Sequence, residues 1–126
     1  MQNLSLKELS EGLKQKKFSS LELTKFFLNR LDLHNSSINA FITIDKDKSL
    51  AMAKRADEII KEGNEDYLTG IPIAQKDIFC AEGWKTTCGS KMLDNFIAPY
   101  DSTVIRKFNE ISAVNLGKTN MDEFAM

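Results

Sequence analysis

The chain has 126 residues, of which 42% are apolar and 28% are charged, and this composition is ordinary for a globular protein with one core. Its formal net charge of −1 provides no general attraction to nucleic acid or to an anionic membrane. No apolar stretch approaches the roughly 18 residues of a membrane-spanning helix, and residues 1–17 lack the apolar segment of a secretory signal. We therefore expect a cytoplasmic protein that makes no membrane contact.

The two helices predicted first along the chain each begin with the same local motif. Ser5 is followed three residues later by Glu8, and Ser19 by Glu22, which is the spacing of a capping box. Leucine and phenylalanine residues then recur at helical spacing in both segments. These patterns predict an N-terminal helical hairpin over residues 1–36, with its polar turn at the sequence KQKK.

The remaining residues, 37–126, alternate between strand and helix patterns. The predicted strands and helices, in chain order, are a strand at 38–44, a helix at 48–62, a strand at 71–75, a helix that begins at Asp101 or Ser102, and a strand at 112–117. This alternation predicts an α/β fold in which βαβαβ units form a mainly parallel sheet covered by helices.

The last ten residues contain a further predicted helix start, with Asn120 and Glu123 at capping-box spacing. Three strands by themselves would leave the edges and faces of a parallel sheet uncovered. We therefore expect residues 1–126 to be the N-terminal fragment of a single larger domain.

Two cysteines, Cys80 and Cys88, lie in the loop after the second predicted strand, and His34 is the only histidine. Zinc sites usually need four ligands of these types, so we expect no metal site in this chain. The cysteines are expected to be free thiols in a reducing compartment.

A lysine and an aspartate end the second predicted strand. Side-chain alternation places Lys76 on the same face as Pro72 and Ala74 and directs Asp77 to the opposite face. Lys76 also falls at the carboxyl end of the strand, where open α/β sheets bind their ligands. This position makes Lys76 the candidate functional residue of the chain.

A lysine that acts as a base must be neutral, whereas the free side chain has a pKa of about 10.4. Burial or a neighbouring positive charge lowers a lysine pKa, and a neighbouring carboxylate raises it, so Asp77 has to point away from Lys76. From the pattern alone a second interpretation stays open, in which both are ordinary charged residues at the point where a strand meets solvent. Neither Ser90 nor Ser102 stands at a defined spacing from a base, and Ser102 fits a helix cap.

Four segments of the sequence resemble a known family. They are GIPIAQKD at 70–77, TTCGSKML at 86–93, NFIAPYDSTV at 95–104 and GKTNMDEFAM at 117–126. Together they resemble the amidase signature family, and the segment NMDEFAM is most similar to those members that serve tRNA-dependent amidation. Gln75 departs from the pattern, because many members carry an aliphatic residue there.

The resemblance implies a Ser–cis-Ser–Lys triad in which Lys76 is the general base that activates the nucleophile through a bridging serine. Both serines belong to a glycine- and serine-rich segment that lies beyond Met126. The implied function is a glutaminase subunit that releases ammonia from glutamine and passes it to a partner subunit. That partner binds most of the tRNA and uses ATP and magnesium to convert Glu-tRNA(Gln) to Gln-tRNA(Gln), whereas this chain holds no cofactor.

Two other functions remain open at this stage. One is a general hydrolase of small amides from the same family, which needs neither tRNA nor ATP. The other is a non-catalytic α/β interaction module in which Lys76 is only structural. The continuation of the gene past Met126 discriminates between them, because a glycine- and serine-rich segment favours an enzyme and a stop codon favours a module. By itself, the 126-residue chain is expected to be inactive.

Overall fold

The computed structural model describes all 126 residues as four α-helices and a three-stranded sheet. The elements, in chain order, are α1 (Leu6–Lys14), α2 (Ser20–Ile38), β1 (Phe41–Thr43), α3 (Lys46–Glu62), β2 (Pro72–Lys76), α4 (Thr103–Glu110) and β3 (Val114–Thr119). This mixed α/β arrangement and its element order confirm the predicted fold class. None of its helices is long and apolar enough to cross a membrane.

Both predicted capping boxes are present. The Ser5 hydroxyl accepts a hydrogen bond from the Glu8 amide at 3.3 Å, and the Glu8 carboxylate accepts one from the Ser5 amide at 2.7 Å. The equivalent distances between Ser19 and Glu22 are 3.0 and 2.8 Å. These hydrogen bonds satisfy amides that have no partner within a helix, so the short serine-to-glutamate spacing is sufficient to fix where α1 and α2 begin.

The sheet has the strand order β1-β3-β2, and its two strand pairs run in different directions. The pair β2–β3 is parallel and is connected through α4, as expected for a crossover. The pair β1–β3 is antiparallel, which the sequence pattern did not indicate. In this sheet β1 pairs with the distant strand β3 and not with its sequence neighbour β2.

The first strand is also shorter than predicted. The sequence indicated a helical hairpin over residues 1–36 and a strand at 38–44, but α2 continues to Ile38 and β1 begins only at Phe41. Asn39 ends the helix in the left-handed conformation, with φ of 49°. The Asn35 side chain then bonds both the amide and the carbonyl of Phe41, at 2.8 and 3.0 Å, and so ties the last turn of α2 to the start of β1.

The predicted helix start at Asn120 is wrong. A short 3-10 turn spans Glu123–Ala125, and its cap residue makes no side-chain hydrogen bond. The Asn120 side chain instead donates to the Asn39 carbonyl at 3.1 Å, and the Glu123 carboxylate accepts from the Ser90 hydroxyl at 2.6 Å. Tertiary contacts therefore take both side chains that a capping box would need.

The main apolar core lies between the N-terminal helices, α3 and the start of β2. It contains five buried residues, Leu9, Leu13, Leu23, Ile60 and Ile71. A second cluster of Ala81, Trp84 and Ile105 packs the loop after β2 against α4. The carboxyl end of β2 lies between these two clusters in the chain, so both its strand and its following loop are anchored.

Candidate active site

Lys76 is the last residue of β2, at the carboxyl end of the strand, as predicted. Its cross-strand partner in the parallel pair is Thr119. The side chain is exposed and makes no hydrogen bond or ion pair with the rest of the chain. Within these 126 residues, therefore, no side chain holds the Lys76 amine in place, and the chain does not itself bury it.

Asp77 points to the opposite side of the sheet, as alternation predicted, and is completely buried. Its carboxylate accepts hydrogen bonds from the amide of Thr87 at 3.0 Å and from the Thr87 hydroxyl at 2.5 Å. Its backbone amide donates to the Thr119 carbonyl at 3.1 Å, and its backbone carbonyl accepts from the Cys88 amide at 3.2 Å. Asp77 is thus tied both to β3 and to the loop that follows β2.

Lys118 is the functional candidate that the sequence analysis missed. It lies in β3 opposite Gln75 and, like Asp77, is completely buried. Its ammonium donates to the Phe79 carbonyl and to the Thr86 hydroxyl, and it lies 3.8 Å from the Asp77 carboxylate. That last distance corresponds to an ion pair without a direct hydrogen bond. The side chains of two charged residues that are far apart in sequence therefore meet inside the protein.

Burial lowers the pKa of Lys118 below its ordinary value of 10.5, and the Asp77 carboxylate opposes this effect. The pKa of the nearby Cys88 thiol is raised, first by burial and then by the same carboxylate. Cys80 and Cys88 form no disulfide with each other in this structure. Burial therefore disfavours the charged form of both Lys118 and Cys88, the side chains that lie near Asp77.

A bulge in β3 explains why the partner of Asp77 was not visible in the sequence. Asn115 pairs with Ile73, but Ala74 pairs with Gly117, so one residue of β3 is extra. Simple alternation would place Lys118 on the same face as Val114 and Leu116. The extra residue moves Lys118 to the face of Gln75 and Asp77. A glycine inside a strand pattern is a known marker of a bulge, and Gly117 was the available indication.

The loop after β2 closes over this buried pair. Cys88 has a left-handed backbone, with φ of 52°, and its carbonyl accepts from the Phe124 amide at 2.9 Å. Gly89 also has positive φ, and a Cβ atom there would be 2.7 Å from the Met121 carbonyl oxygen. The segment after β3 therefore packs directly on this loop, and only glycine permits the close approach.

The two faces of β2 border different cavities. On the face of Gln75, a cavity of about 390 Å³ lies between the sheet, α3 and α4, and the side-chain amides of Gln75 and Asn115 each leave one buried atom without a hydrogen bond. On the face of Lys76, a mainly apolar groove of about 370 Å³ runs between α2 and the sheet, lined in part by Pro72, Ala74 and Leu116. The exposed Lys76 side chain thus lies on the face that the apolar groove borders, whereas the buried Asp77 lies on the face of the other cavity.

Comparison with known families identifies the chain. The family model described as Amidase matches residues 22–126. The A subunit of glutamyl-tRNA(Gln) amidotransferase from Nitrosomonas eutropha is 63% identical over all 126 residues, and its namesake from Acinetobacter baylyi is 52% identical. In both comparisons the match covers all of this chain and 26% of the relative, so the chain spans about a quarter of the length of these curated relatives.

Solved structures show the same similarity at the level of the fold. Peptide amidase from Stenotrophomonas maltophilia superimposes with a TM-score of 0.90 at 28% identity, covering 97% of this chain and 26% of that structure. A bacterial aryl acylamidase of the amidase signature family gives a TM-score of 0.85 at 25% identity, covering 96% of this chain and 26% of that structure. Since the family model matches most of the chain and the fold agrees, this chain belongs to the amidase family.

Proposed function

We propose that this chain is the part of the glutaminase subunit of a tRNA-dependent amidotransferase that carries the lysine of the catalytic triad. The observation that supports this proposal most directly is the 63% identity, along the entire chain, to an A subunit of glutamyl-tRNA(Gln) amidotransferase. General amidases of the same fold are only about half as similar, at 28% identity. The position of Lys76 at the carboxyl end of β2 agrees with a ligand-facing role.

In the proposed mechanism, the amine of Lys76 accepts a proton from a bridging serine, which in turn takes the proton of the nucleophilic serine. The serine oxygen attacks the carbonyl carbon of the glutamine side chain, and ammonia leaves with the returned proton. Water then hydrolyses the acyl-enzyme to glutamate. Both serines are expected in the part of the relatives that follows the residue matching Met126.

The orientation of Asp77 suits this role of Lys76. A carboxylate close to the lysine would stabilise the ammonium and so oppose proton acceptance. In this chain the Asp77 carboxylate lies on the opposite face of the sheet, where Thr87 and Lys118 engage it. The exposed amine is therefore left without an acidic partner among these residues.

We assign ATP and magnesium to a partner subunit of the proposed heterotrimeric complex. No group of three histidine, cysteine, aspartate or glutamate side chains converges in this chain, which supports the assignment to a partner. The proposed partners are accordingly the other subunits, glutamine as substrate, and tRNA bound mainly through the partner subunit. No step in the mechanism above uses the nucleotide or the metal.

The test is glutamine hydrolysis by the full-length protein in its complex, with Lys76→Ala, Lys76→Arg and Lys76→Met. Arginine keeps the positive charge but does not release its proton at any usable pH, so Lys76→Arg should be nearly as inactive as Lys76→Ala. Lys54→Met is the matched control, because Lys54 is also exposed and makes no ion pair. If Lys76→Arg keeps more than about a tenth of the wild-type rate, a barrier change under roughly 1.4 kcal/mol, Lys76 is not the base.

Two further measurements separate the alternatives. The close structural match to a peptide amidase favours a general amide hydrolase as the second candidate. Hydrolysis of glutamine that depends on the partner subunits and on Glu-tRNA(Gln) supports the amidotransferase, whereas equal hydrolysis of simple amides by the isolated protein supports the general hydrolase. The 126-residue chain alone should release no ammonia above a no-protein control, and Lys76-dependent turnover by it would contradict the proposed placement of the serines.

A further inference from the structure

The buried ion pair between Asp77 and Lys118 lies on the face of the sheet opposite the proposed base, Lys76. Asp77 follows Lys76 in the chain, and Lys118 lies opposite Gln75 in the neighbouring strand. Both charged side chains have 0% exposure. Desolvation makes a buried ion pair a weak source of stability, so its presence at this position suggests a role in the site.

The hydrogen bonds of Asp77 fix the backbone next to Lys76. Its amide bonds the Thr119 carbonyl, its carbonyl bonds the Cys88 amide, and its carboxylate bonds both the amide and the hydroxyl of Thr87. Residue 77 is therefore held by β3 on one side and by the loop on the other. Because consecutive Cα atoms are about 3.8 Å apart, fixing residue 77 also fixes where the Lys76 side chain leaves the sheet.

Lys118 completes this arrangement from the neighbouring strand. Its ammonium donates to the carbonyl of Phe79 and to the hydroxyl of Thr86, and both residues belong to the loop that follows β2. It is also the cation that forms an ion pair with Asp77. Lys118 thus holds the loop closed and, at the same time, balances the charge of the carboxylate.

We propose that Asp77 and Lys118 are positioning residues for Lys76. The pair fixes the backbone at the end of β2 and keeps the Asp77 carboxylate on the covered face of the sheet, bound to Lys118 and Thr87 instead of to the Lys76 amine. This inference rests on the proposed role of Lys76 as the base. It assigns to Lys118, more than forty residues away in sequence, an indirect part in the same reaction.

The experiment uses the full-length protein in its complex, with glutamine as substrate. Asp77→Asn keeps the shape of the side chain and removes its charge, and Lys118→Met keeps the apolar stem and removes the amine. Each should lower kcat by about tenfold or more while KM changes by less than about threefold, because a misplaced base slows the chemical step. Lys85→Met is the control, since Lys85 forms a more exposed ion pair with Asp94. A kcat within about twofold of wild type in Asp77→Asn and Lys118→Met overturns the proposal.

A second readout separates positioning from a general loss of structure. Asp77→Asn and Lys118→Met are repeated in a Lys76→Ala background. Residues that act through Lys76 cannot lower the rate again once the amine is gone, so the residual rate should stay within about twofold. A further loss of the same size as in the wild-type background shows that the pair is merely structural.

Labelling of amines provides the measurement if hydrolysis by Lys76→Ala is below detection. Limiting acetic anhydride acetylates exposed amines, and mass spectrometry of the peptides gives the ratio of labelling at Lys76 to that at Lys54. Asp77→Asn and Lys118→Met should change this ratio by about threefold or more, as expected for a displaced amine, whereas Lys85→Met should not. An unchanged ratio in the first two variants overturns the proposal.

A milder substitution keeps the proposal testable if Asp77→Asn and Lys118→Met fail to fold. Thr87→Val has nearly the same shape as threonine but lacks the hydroxyl that donates to Asp77, and Thr87→Ser retains it. We expect Thr87→Val to lower kcat and Thr87→Ser to restore it, and equal rates for the two variants contradict the proposal. Failure of the proposed function itself is recognised separately, because the rate of Lys76→Ala would then equal that of the wild type.

Discussion

The charged side chains on the two faces of the sheet at the end of β2 differ in their burial. On one face, Lys76 is exposed and has no partner in the chain. On the other face, Asp77 and Lys118 are completely buried, and each is bound by the loop that follows the strand. Two lysines near the ends of adjacent strands therefore differ: the Lys118 ammonium is bound inside the fold, whereas the Lys76 side chain is exposed and has no partner among these residues.

The comparison also shows why an adjacent lysine and aspartate need not form an ion pair. Strand geometry separates their side chains, and the nearest partner of the carboxylate comes from another strand. This arrangement requires the desolvation of two charges, which hydrogen bonds and the mutual attraction of the two charges offset. One oxygen of the Asp77 carboxylate has no hydrogen bond, so the ion pair with Lys118 is its main compensation.

The largest expected effect is the loss of stability when the buried ion pair is removed. Lys118→Met should lower the free energy of unfolding by about 3–5 kcal/mol, because it leaves the buried Asp77 carboxylate without its counter-charge. Urea denaturation followed by the fluorescence of Trp84, the single tryptophan, measures the loss. A loss below about 1 kcal/mol, comparable to that of an exposed ion pair, would show that the pair is not desolvated as the structure indicates.

The pH dependence of this loss has a definite sign. Because burial lowers the pKa of Lys118 in the folded chain, the unfolded chain binds the proton more tightly. The free energy of unfolding contributed by this group therefore rises with pH between the lowered pKa and 10.5, the ordinary value. The stability difference between wild type and Lys118→Met should increase as the pH is raised toward that value, and a decreasing difference would contradict the assignment.

A smaller effect is expected at the bulge that brings Lys118 to the buried face. Gly117 has φ of 153°, and a Cβ atom there would lie 2.8 Å from the Thr43 carbonyl oxygen and 2.9 Å from the Phe41 ring. Gly117→Ala should therefore cost about 2–3 kcal/mol through backbone strain and crowding against β1. Gly83→Ala is the reference for a positive-φ position without crowding, because nothing lies within 4 Å of the Cβ position at Gly83. A cost equal to that of Gly83→Ala, about 1 kcal/mol, would mean that crowding is unimportant.

Local patterns predicted the starts of α1 and α2 correctly, whereas the helix start at Asn120 and the pairing of the sheet depended on contacts that no local pattern contains. Ser5 and Ser19 cap their helices through residues only three positions away, so the motif and its structure are both local. The antiparallel direction of β1 depends instead on pairing with β3, more than seventy residues later. Likewise, the end of α2 was misplaced because Asn35 bonds Phe41 across the left-handed Asn39.

Some features of the candidate site also followed from local patterns, whereas others depended on contacts between distant residues. The position of Lys76 at the strand end and the opposite direction of Asp77 followed from the two-residue period of a strand. The role of Lys76 itself came from the resemblance to the family and stays a prediction, since the exposed amine has no contact that reveals its chemistry. The partnership of Asp77 with Lys118 required the bulge in β3, which shifts the register by one residue and cannot be located from alternation alone.

The smallest expected effect is the change in stability when the exposed lysine, Lys76, is replaced. In this 126-residue chain, Lys76→Met should change the free energy of unfolding by less than about 0.5 kcal/mol, because the side chain is exposed and has no hydrogen bond or ion pair to lose. Lys54→Met is the matched control, and Lys118→Met provides the contrasting large value in the same urea experiment. A loss of more than about 1 kcal/mol in Lys76→Met would mean that the amine is engaged within the chain, and the contrast between the two lysines would fail. Together with a large loss of glutamine hydrolysis in the full-length protein, a near-zero change in stability would place the importance of Lys76 in the reaction and not in the fold.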